Sequence, residues 1–426
     1  MTVEGERRVI DRHLWPVVTQ RHASVPVLVL NGPRTVGKST LLAACAKAHD
    51  VLVTDLDDLP TRRSVSDDPS YFAASPSRPV CIDEYQYVPP LLDAIKAELN
   101  QDTRPGRYVL TGSTRYDSLP RVSQSLAGRA HVMTLWPLSQ GELTGRKETF
   151  LDMLLSDARD LMSHEPSTTS REAYEEAVLA GGFPMPRLLK EAADKRRWFY
   201  DYVNTVIDRD ALEIRRVRQR RVLPLVLRHL AARTASIMQA TDIARRVELD
   251  ARLVADYVTL LESVFLVHRI DAFGRTLSAR VGKAPKLHMV DTGLAGQLLG
   301  VTPHKLASRD PSTLTEFGHL VETFAVNELV KQSGWAEAHV DLSHFRTKDQ
   351  HEVDLVVESD DGRIAGIEVK AKGSVTDKDF RGLKLLRDRL GTSFVAGVVV
   401  NLGTRSYRYD ERLYVVPLDR LWMPAP

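Results

Sequence analysis

Cysteine is nearly absent from this chain, with only Cys45 and Cys81 present, both in apolar surroundings. That excludes a disulfide framework and a cysteine-based zinc site, and it fits a reducing cytosol. Long hydrophobic runs are missing too. "VPVLVL" and "FVAGVVV" are too short to span a bilayer as helices. The opening "MTVEGERRVIDRHLW" lacks the apolar core of a signal peptide. Neither sign of charge prevails, since 58 basic residues face 56 acidic ones for a net +2. Any surface for nucleic acid must therefore come from local clustering. Internal repeats and long low-complexity linkers are absent as well. The expectation is a soluble cytoplasmic protein without a membrane partner.

What is present is length and rhythm. A chain of 426 residues exceeds one ordinary core, so several domains are expected. Residues 1–145 alternate strand-like runs ("VPVLVLN", "VLVTDL", "PVCIDE", "RYVLTG", "RAHVMTL") with helical stretches. That alternation predicts an α/β domain with a parallel sheet covered by helices. Residues 146–310 read as mostly helical. Residues 311–426 open with a helix, "LTEFGHLVETFAVNELVKQ", and continue through strands, a helix near "DKDFRGLKLLRDRL" and the strand "FVAGVVVN". "DARDLMSHEPSTTS" and "GVTPHKLASRDPST" are the expected joints.

The first block carries chemistry. In "NGPRTVGKST", Gly32, Gly37, Lys38 and Ser39 have the spacing of a phosphate-binding loop, with Pro33, Arg34, Thr35, Val36 and Thr40 completing it. The glycines let backbone N–H groups face phosphate oxygens. Lys38 neutralises the β- and γ-phosphates, and the Ser39 hydroxyl suits Mg²⁺. "PVCIDEY" then ends a buried strand in Asp83, which would hold Mg²⁺ through water, and Glu84, which would orient or deprotonate the attacking water. "RYVLTGST" ends in Thr111 and Ser113, where a sensor for the γ-phosphate is expected. ATP and Mg²⁺ are the implied cofactors. Arg129 is either an arginine finger, in cis or in trans, or a solvated strand-edge charge. Arg34 either touches phosphate or pairs with a nearby acid.

"NGPRTVGKSTLL", "CIDEYQYVPPLLDAIK", "YVLTGST", "SLAGRA" and "LWPLSQGEL" follow in an order that resembles one family of prokaryotic AAA+-class P-loop ATPases with a C-terminal domain of unknown function. The similarity continues through "GGFP", "WFYDYVNTVIDRDALEI" and "HMVDTGLAGQLLG", so it covers nearly the whole chain. Ser39 stands where many relatives carry Thr, and both bear the hydroxyl. The resemblance implies ATP binding, a helical middle with a winged-helix module, and a restriction-endonuclease-like C-terminal fold.

In the middle block, "QATDIARRVELDARLVADYVTLLES" has helix-turn-helix proportions, and "LVHRI" and "PKLHMVD" are candidate wing strands. Ile243, Ala244 and Val247 on the first helix, and Leu253, Val254, Tyr257 and Leu261 on the second, form the core-facing stripe. The second helix carries Asp250, Asp256 and Glu262 beside a lone Arg252, a charge pattern that favours packing over a phosphate contact. The better basic stretch is "RDALEIRRVRQRR", with Arg209, Arg215, Arg216, Arg218, Arg220 and Arg221 against Asp210 and Glu213. It is either a surface for DNA or a solvated face.

In the last block, thirteen residues separate Asp354 from Glu368 in "HEVDLVVESDDGRIAGIEVKAK". Strand alternation puts Glu368 and Lys370 on one face, and a hairpin would bring Asp354 beside them. That is the layout of a PD-(D/E)XK nuclease core, with two carboxylates on Mg²⁺ and a lysine orienting a metal-activated water. Glu322 sits in the apolar stripe of the preceding helix and is expected to complete the metal site, with Glu328 as its substitute. The competing reading is a retained fold whose acids form a salt-bridge network. The functions left open are an ATP-controlled protein that binds or cuts DNA, a nucleotide-dependent switch whose C-terminal domain does not cut, and a partner-assembly ATPase. A homo-oligomer is compatible with each.

Overall fold

The computed structural model describes residues 10–115, 126, 128–162, 165–211, 220–274 and 283–423. Five strands, β1 (Val27–Asn31), β2 (Val53–Asp55), β3 (Val80–Asp83), β4 (Tyr108–Gly112) and β5 (Ala130–Thr134), pair in parallel in the order β2-β3-β4-β1-β5. β1 is buried throughout because helices cover both faces of the sheet. Alternation sends Leu28 and Leu30 to one apolar cluster and Val27 and Val29 to the other. The helix Lys38–Ala48 leaves the end of β1 through the glycine-containing loop.

The second sheet has nine strands. They are β6 (Ser236–Ile237), β7 (Val267–Ala272), β8 (Lys286–Met289), β9 (Val340–Arg346), β10 (Glu352–Ser359), β11 (Ile364–Lys370), β12 (Phe394–Asn401), β13 (Tyr407–Asp410) and β14 (Leu413–Pro417). Their order is β13-β14-β12-β11-β10-β9-β7-β8-β6. The helix Pro311–Gln332 precedes β9, and the helix Arg381–Leu390 lies between β11 and β12, so this block runs αβββαβ as expected.

A division near residue 310 does not separate two sheets. β7 pairs in parallel with β9 through Asp271↔Ser343 and Ala272↔His344, and one apolar cluster runs through all three blocks. The physical reason is the edge of β9, whose free N–H and C=O groups are capped by the strand pair of the middle block. The two helices expected there span Ala240–Val247 and Ala251–Ser263. Ile243, Ala244, Val254, Tyr257 and Leu261 are buried, while Val247 and Leu253 are half-buried. The expected joints are anchored rather than free. Ser167 and Thr169 donate to Asp419, and the helix Pro303–Ala307 occupies the second.

"GGFP" and "VDTG" prove to be one join. Asp291 accepts from Gly182 N at 2.6 Å and from Leu294 N at 2.8 Å. A Cβ on Gly181, whose φ is +64°, would lie 2.3 Å from the Asp291 carboxylate.

Buried histidines, His268 and His344 among them, make the fold sensitive to acid. Burial pushes His268, which binds Asn327 at 2.8 Å, down to about 4, and pushes His344 beside Lys286 down to about 4. The unfolded chain takes protons near pH 6.5 that the folded imidazoles refuse, so each histidine's stability contribution falls as pH drops from 6.5 towards 4. The slope is about 1.4 kcal/mol per pH unit per histidine. The stability gap between wild type and His268→Gln should therefore narrow by about that amount per unit in urea titrations. A gap constant from pH 7 to pH 5 would contradict a neutral buried His268.

Among the described residues, no helix is long and apolar enough to cross a membrane.

Candidate functional site

The loop after β1 is held closed by its own side chains. Gly32 has φ +153°, and a Cβ there would stand 2.2 Å from Leu135 O, so only glycine fits. Lys38 Nζ donates to Gly32 O at 3.0 Å and Pro33 O at 2.7 Å. It is buried, and burial pushes the ammonium down to about 8 against the opposing pull of Glu84 and Asp83. A buried lysine held by backbone carbonyls is poised to exchange them for phosphate oxygens. Arg12 braces the loop from outside, donating to Val36 O at 2.7 Å, Trp136 O at 2.6 Å and Glu142 at 2.9 Å. Ser39 and Thr40 are exposed at the start of the helix.

β3 and β4 deliver the acids and their partners. Asp83 accepts from the Ser39 and Thr111 hydroxyls, while burial raises its carboxyl above the ordinary range. Glu84 has φ +54°, which turns its side chain back towards β4. There Glu84 Oε2 accepts from Ser113 Oγ at 3.0 Å, from Ser113 N at 3.3 Å and from Gln86 Nε2. Ser39 and Asp83 thus lie together with oxygen donors of the kind Mg²⁺ prefers, so these residues fit a magnesium–nucleotide complex. When bound, Mg²⁺ would neutralise phosphate charge. Lys38 would bind phosphate, and Glu84 would hold and orient the attacking water.

Arg34 takes the acidic alternative. Its guanidinium forks onto Asp210 at 2.5 and 2.7 Å and reaches Tyr87 Oη at 2.9 Å. Burial works against its charge, but Asp210 outweighs burial and holds Arg34 above its ordinary value. Asp210 lies in the π-helix Val206–Ala211, so a loop side chain is bonded to the middle block. Sequence reasoning counted Asp210 only as a counter-charge to the arginine run. Arg209 of that run pairs with Asp57 and covers the Tyr87 ring. Arg215, Arg216 and Arg218 lie outside the described residues, as does the Arg220 side chain.

Arg129 is not brought to the phosphate loop of its own chain. It precedes β5, at the starting edge of the parallel sheet, and donates to Asn100 Oδ1 at 2.8 Å. The loop lies beyond the opposite edge, about 15 Å away at roughly 3.3 Å per strand residue. In this arrangement Arg129 does not reach the loop of its own chain.

The C-terminal acids meet as the hairpin predicts, but around a different partner. β10 and β11 are antiparallel with Leu355 opposite Ile367, which sets Asp354 beside Glu368. Asp354 Oδ2 accepts from Val369 N at 2.9 Å, and Lys370 pairs with Glu368 at 2.6 Å. Between Glu322, Glu352 and Asp354 stands Lys286 Nζ, at 2.5, 2.7 and 2.9 Å respectively. Burial disfavours charge on both Lys286 and Asp354. Their mutual attraction prevails, with Lys286 raised and Asp354 lowered. Burial and Asp354 raise Glu322, and the same two causes push Glu368 up to about 8.

This corrects the expected metal set of Glu322, Asp354 and Glu368. Among the described residues, no group of three or more His, Cys, Asp or Glu side chains is placed to hold a metal ion. The residues present do not fit Mg²⁺ in this arrangement, because an ammonium takes the central position. Glu328, the substitute, is elsewhere, bound to Lys331 at 2.6 Å and Gln140 N at 2.8 Å. Lys286 and Glu352 were missed. The available signal was Lys286 and His288 at alternate positions in "PKLHMVD", which puts two polar groups on one face of a buried strand.

The first sheet with its loop and acids defines a P-loop ATPase of the AAA type, and a family model described as an AAA domain matches residues 24–144. Two domains of unknown function match further on, DUF8612 over residues 171–305 and DUF4143 over 317–421. Uncharacterized proteins of Mycobacterium bovis and Mycobacterium tuberculosis are each 25% identical over 400 residues, covering 93% of this chain and 81% of theirs. A Walker-type ATPase of Pyrococcus abyssi aligns over 69% of this chain and 97% of its own, at 15% identity and a TM-score of 0.42.

Proposed function

We propose that this chain is a Mg²⁺-dependent ATPase whose nucleotide state controls DNA binding by its middle and C-terminal parts. The observation that carries the reading is the Arg34–Asp210 fork, a direct bond between the phosphate loop and the middle block. A loop that shifts to take phosphate pulls on that fork, and so on the strands joined to the C-terminal sheet. The six arginines of 209–221 support DNA as the macromolecule. The restriction-endonuclease-like reading rests on the αβββαβ order and on Asp354, Glu368 and Lys370. Lys286 among the carboxylates favours binding without cutting in this state. Arg129 would serve the nucleotide only from a neighbouring copy, in a homo-oligomer.

The test is anisotropy of a labelled duplex with Glu84→Gln in ATP and with wild type in ADP. DNA affinity should differ about 5- to 150-fold between the two states. It should also fall with salt, by about 0.9 in log–log slope per neutralised phosphate. Equal affinities in both states, or no binding at low salt, would remove this reading.

A further inference from the structure

The chain at the end of β4 makes three different contacts. The Thr111 hydroxyl donates to Asp83, and Ser113 holds Glu84 through both its hydroxyl and its backbone N–H. Arg115 then reaches out of the ATPase sheet to the middle block. Its backbone N donates to Ser263 O at 2.9 Å, and its Nε donates to Glu262 O at 3.0 Å. Both acceptors lie in the last turn of the helix Ala251–Ser263, where carbonyls lack amide partners four residues on. A guanidinium there also meets the negative end of the helix dipole. Its Cζ stands 5.0 Å from the centre of the Phe265 ring, within the range of a cation–π contact.

Phe265 is buried and has φ +56°, a conformation that a bulky residue keeps only where the packing around it imposes it. Trp136, just past β5, meets the same ring edge-on at 6.0 Å. The contact between the two blocks is therefore tightly specified. Ser113 and Thr114 are buried, so the chain from the Glu84 partner to the helix contact has little room to absorb a shift. The Ser113 N–H bond to Glu84 is already 3.3 Å long, and a displacement of about 0.3 Å would remove it.

We propose that Arg115 is a positioning residue for ATP hydrolysis. It fixes Ser113, and through Ser113 the Glu84 carboxylate, to the helix Ala251–Ser263. The seat of the middle block on the ATPase sheet would then set turnover, while phosphate binding stays with Lys38 and the loop. The inference rests on the reading of Glu84 as the group that orients water. It differs from the Arg34–Asp210 fork, which joins the loop, and not the acid, to the middle block.

The experiment uses the full chain, with turnover read by phosphate release and ATP affinity by fluorescence. Arg115→Met keeps an aliphatic stem over Phe265 but removes the Nε donor and the charge. Its kcat should fall by at least about tenfold, the scale of a small misplacement at a reacting centre, with ATP affinity unchanged. Arg115→Lys, which can still donate to a helix carbonyl, should recover part of the loss. In a Glu84→Gln background, Arg115→Met should not lower the residual single-turnover rate further, because it acts only through Glu84. If Arg115→Met melts below the assay temperature, Phe265→Leu replaces it and should also lower kcat at unchanged ATP affinity. Wild-type kcat in Arg115→Met, with Glu84→Gln inactive, would overturn the inference and leave the Glu84 reading intact. Parallel losses of ATP affinity and turnover would overturn it too, because they mark a structural role. Wild-type turnover in Glu84→Gln would remove the Glu84 reading and this inference with it.

Discussion

Glu84→Gln should bind ATP as tightly as wild type while kcat falls by roughly 10²- to 10⁴-fold, the usual range for loss of a positioned acid–base group. The geometry explains the separation. Glu84 is held by Ser113 and Gln86 at the ends of β3 and β4, whereas the phosphate-binding donors belong to the loop and to Lys38. Glutamine keeps an oxygen for those partners but cannot accept a proton. Lys38→Ala should do the opposite, abolishing tight binding, because the lysine is the buried cation of the loop. Nucleotide binding by fluorescence and turnover by phosphate release check both variants. Equal turnover in Glu84→Gln and wild type would remove Glu84 from the chemistry.

Asp210→Leu should be the most destabilising single change near the loop. Its side chain is 3% exposed and that of Arg34 is 13%, so removing the acid leaves a guanidinium with little water to replace it. Breaking a buried ion pair from one side typically costs about 3–5 kcal/mol, whereas replacing both partners with apolar groups of similar volume is often neutral. Arg34→Met/Asp210→Leu should therefore recover most of the loss, and a double-mutant cycle in urea gives the coupling directly. The double variant should also lose nucleotide control of the middle block while keeping ATP turnover. If the two single changes prove additive, the fork carries no coupling and the link between loop and middle block fails with it.

Local pattern alone determined the parallel sheet, its glycine-bearing loop and the acids at the end of β3. Each depends on residues adjacent in sequence: a buried strand needs a continuous apolar run, the tight loop needs Gly32, and the helix follows at once. The hairpin pairing of Asp354 with Glu368 was legible for the same reason, since alternation and a short turn set the register. Tertiary structure decided what those groups touch. Arg34 and Asp210 are 176 positions apart, and Lys286 and Asp354 are 68 apart, so no spacing rule couples them. Arg129 immediately precedes β5, yet the direction of β5 puts it at the end of the sheet opposite the loop. The pattern could place three carboxylates, Glu322, Asp354 and Glu368, near one another. Whether a metal ion or a lysine from a distant strand neutralises them depends on which cation the packing of β7 against β9 carries into the centre.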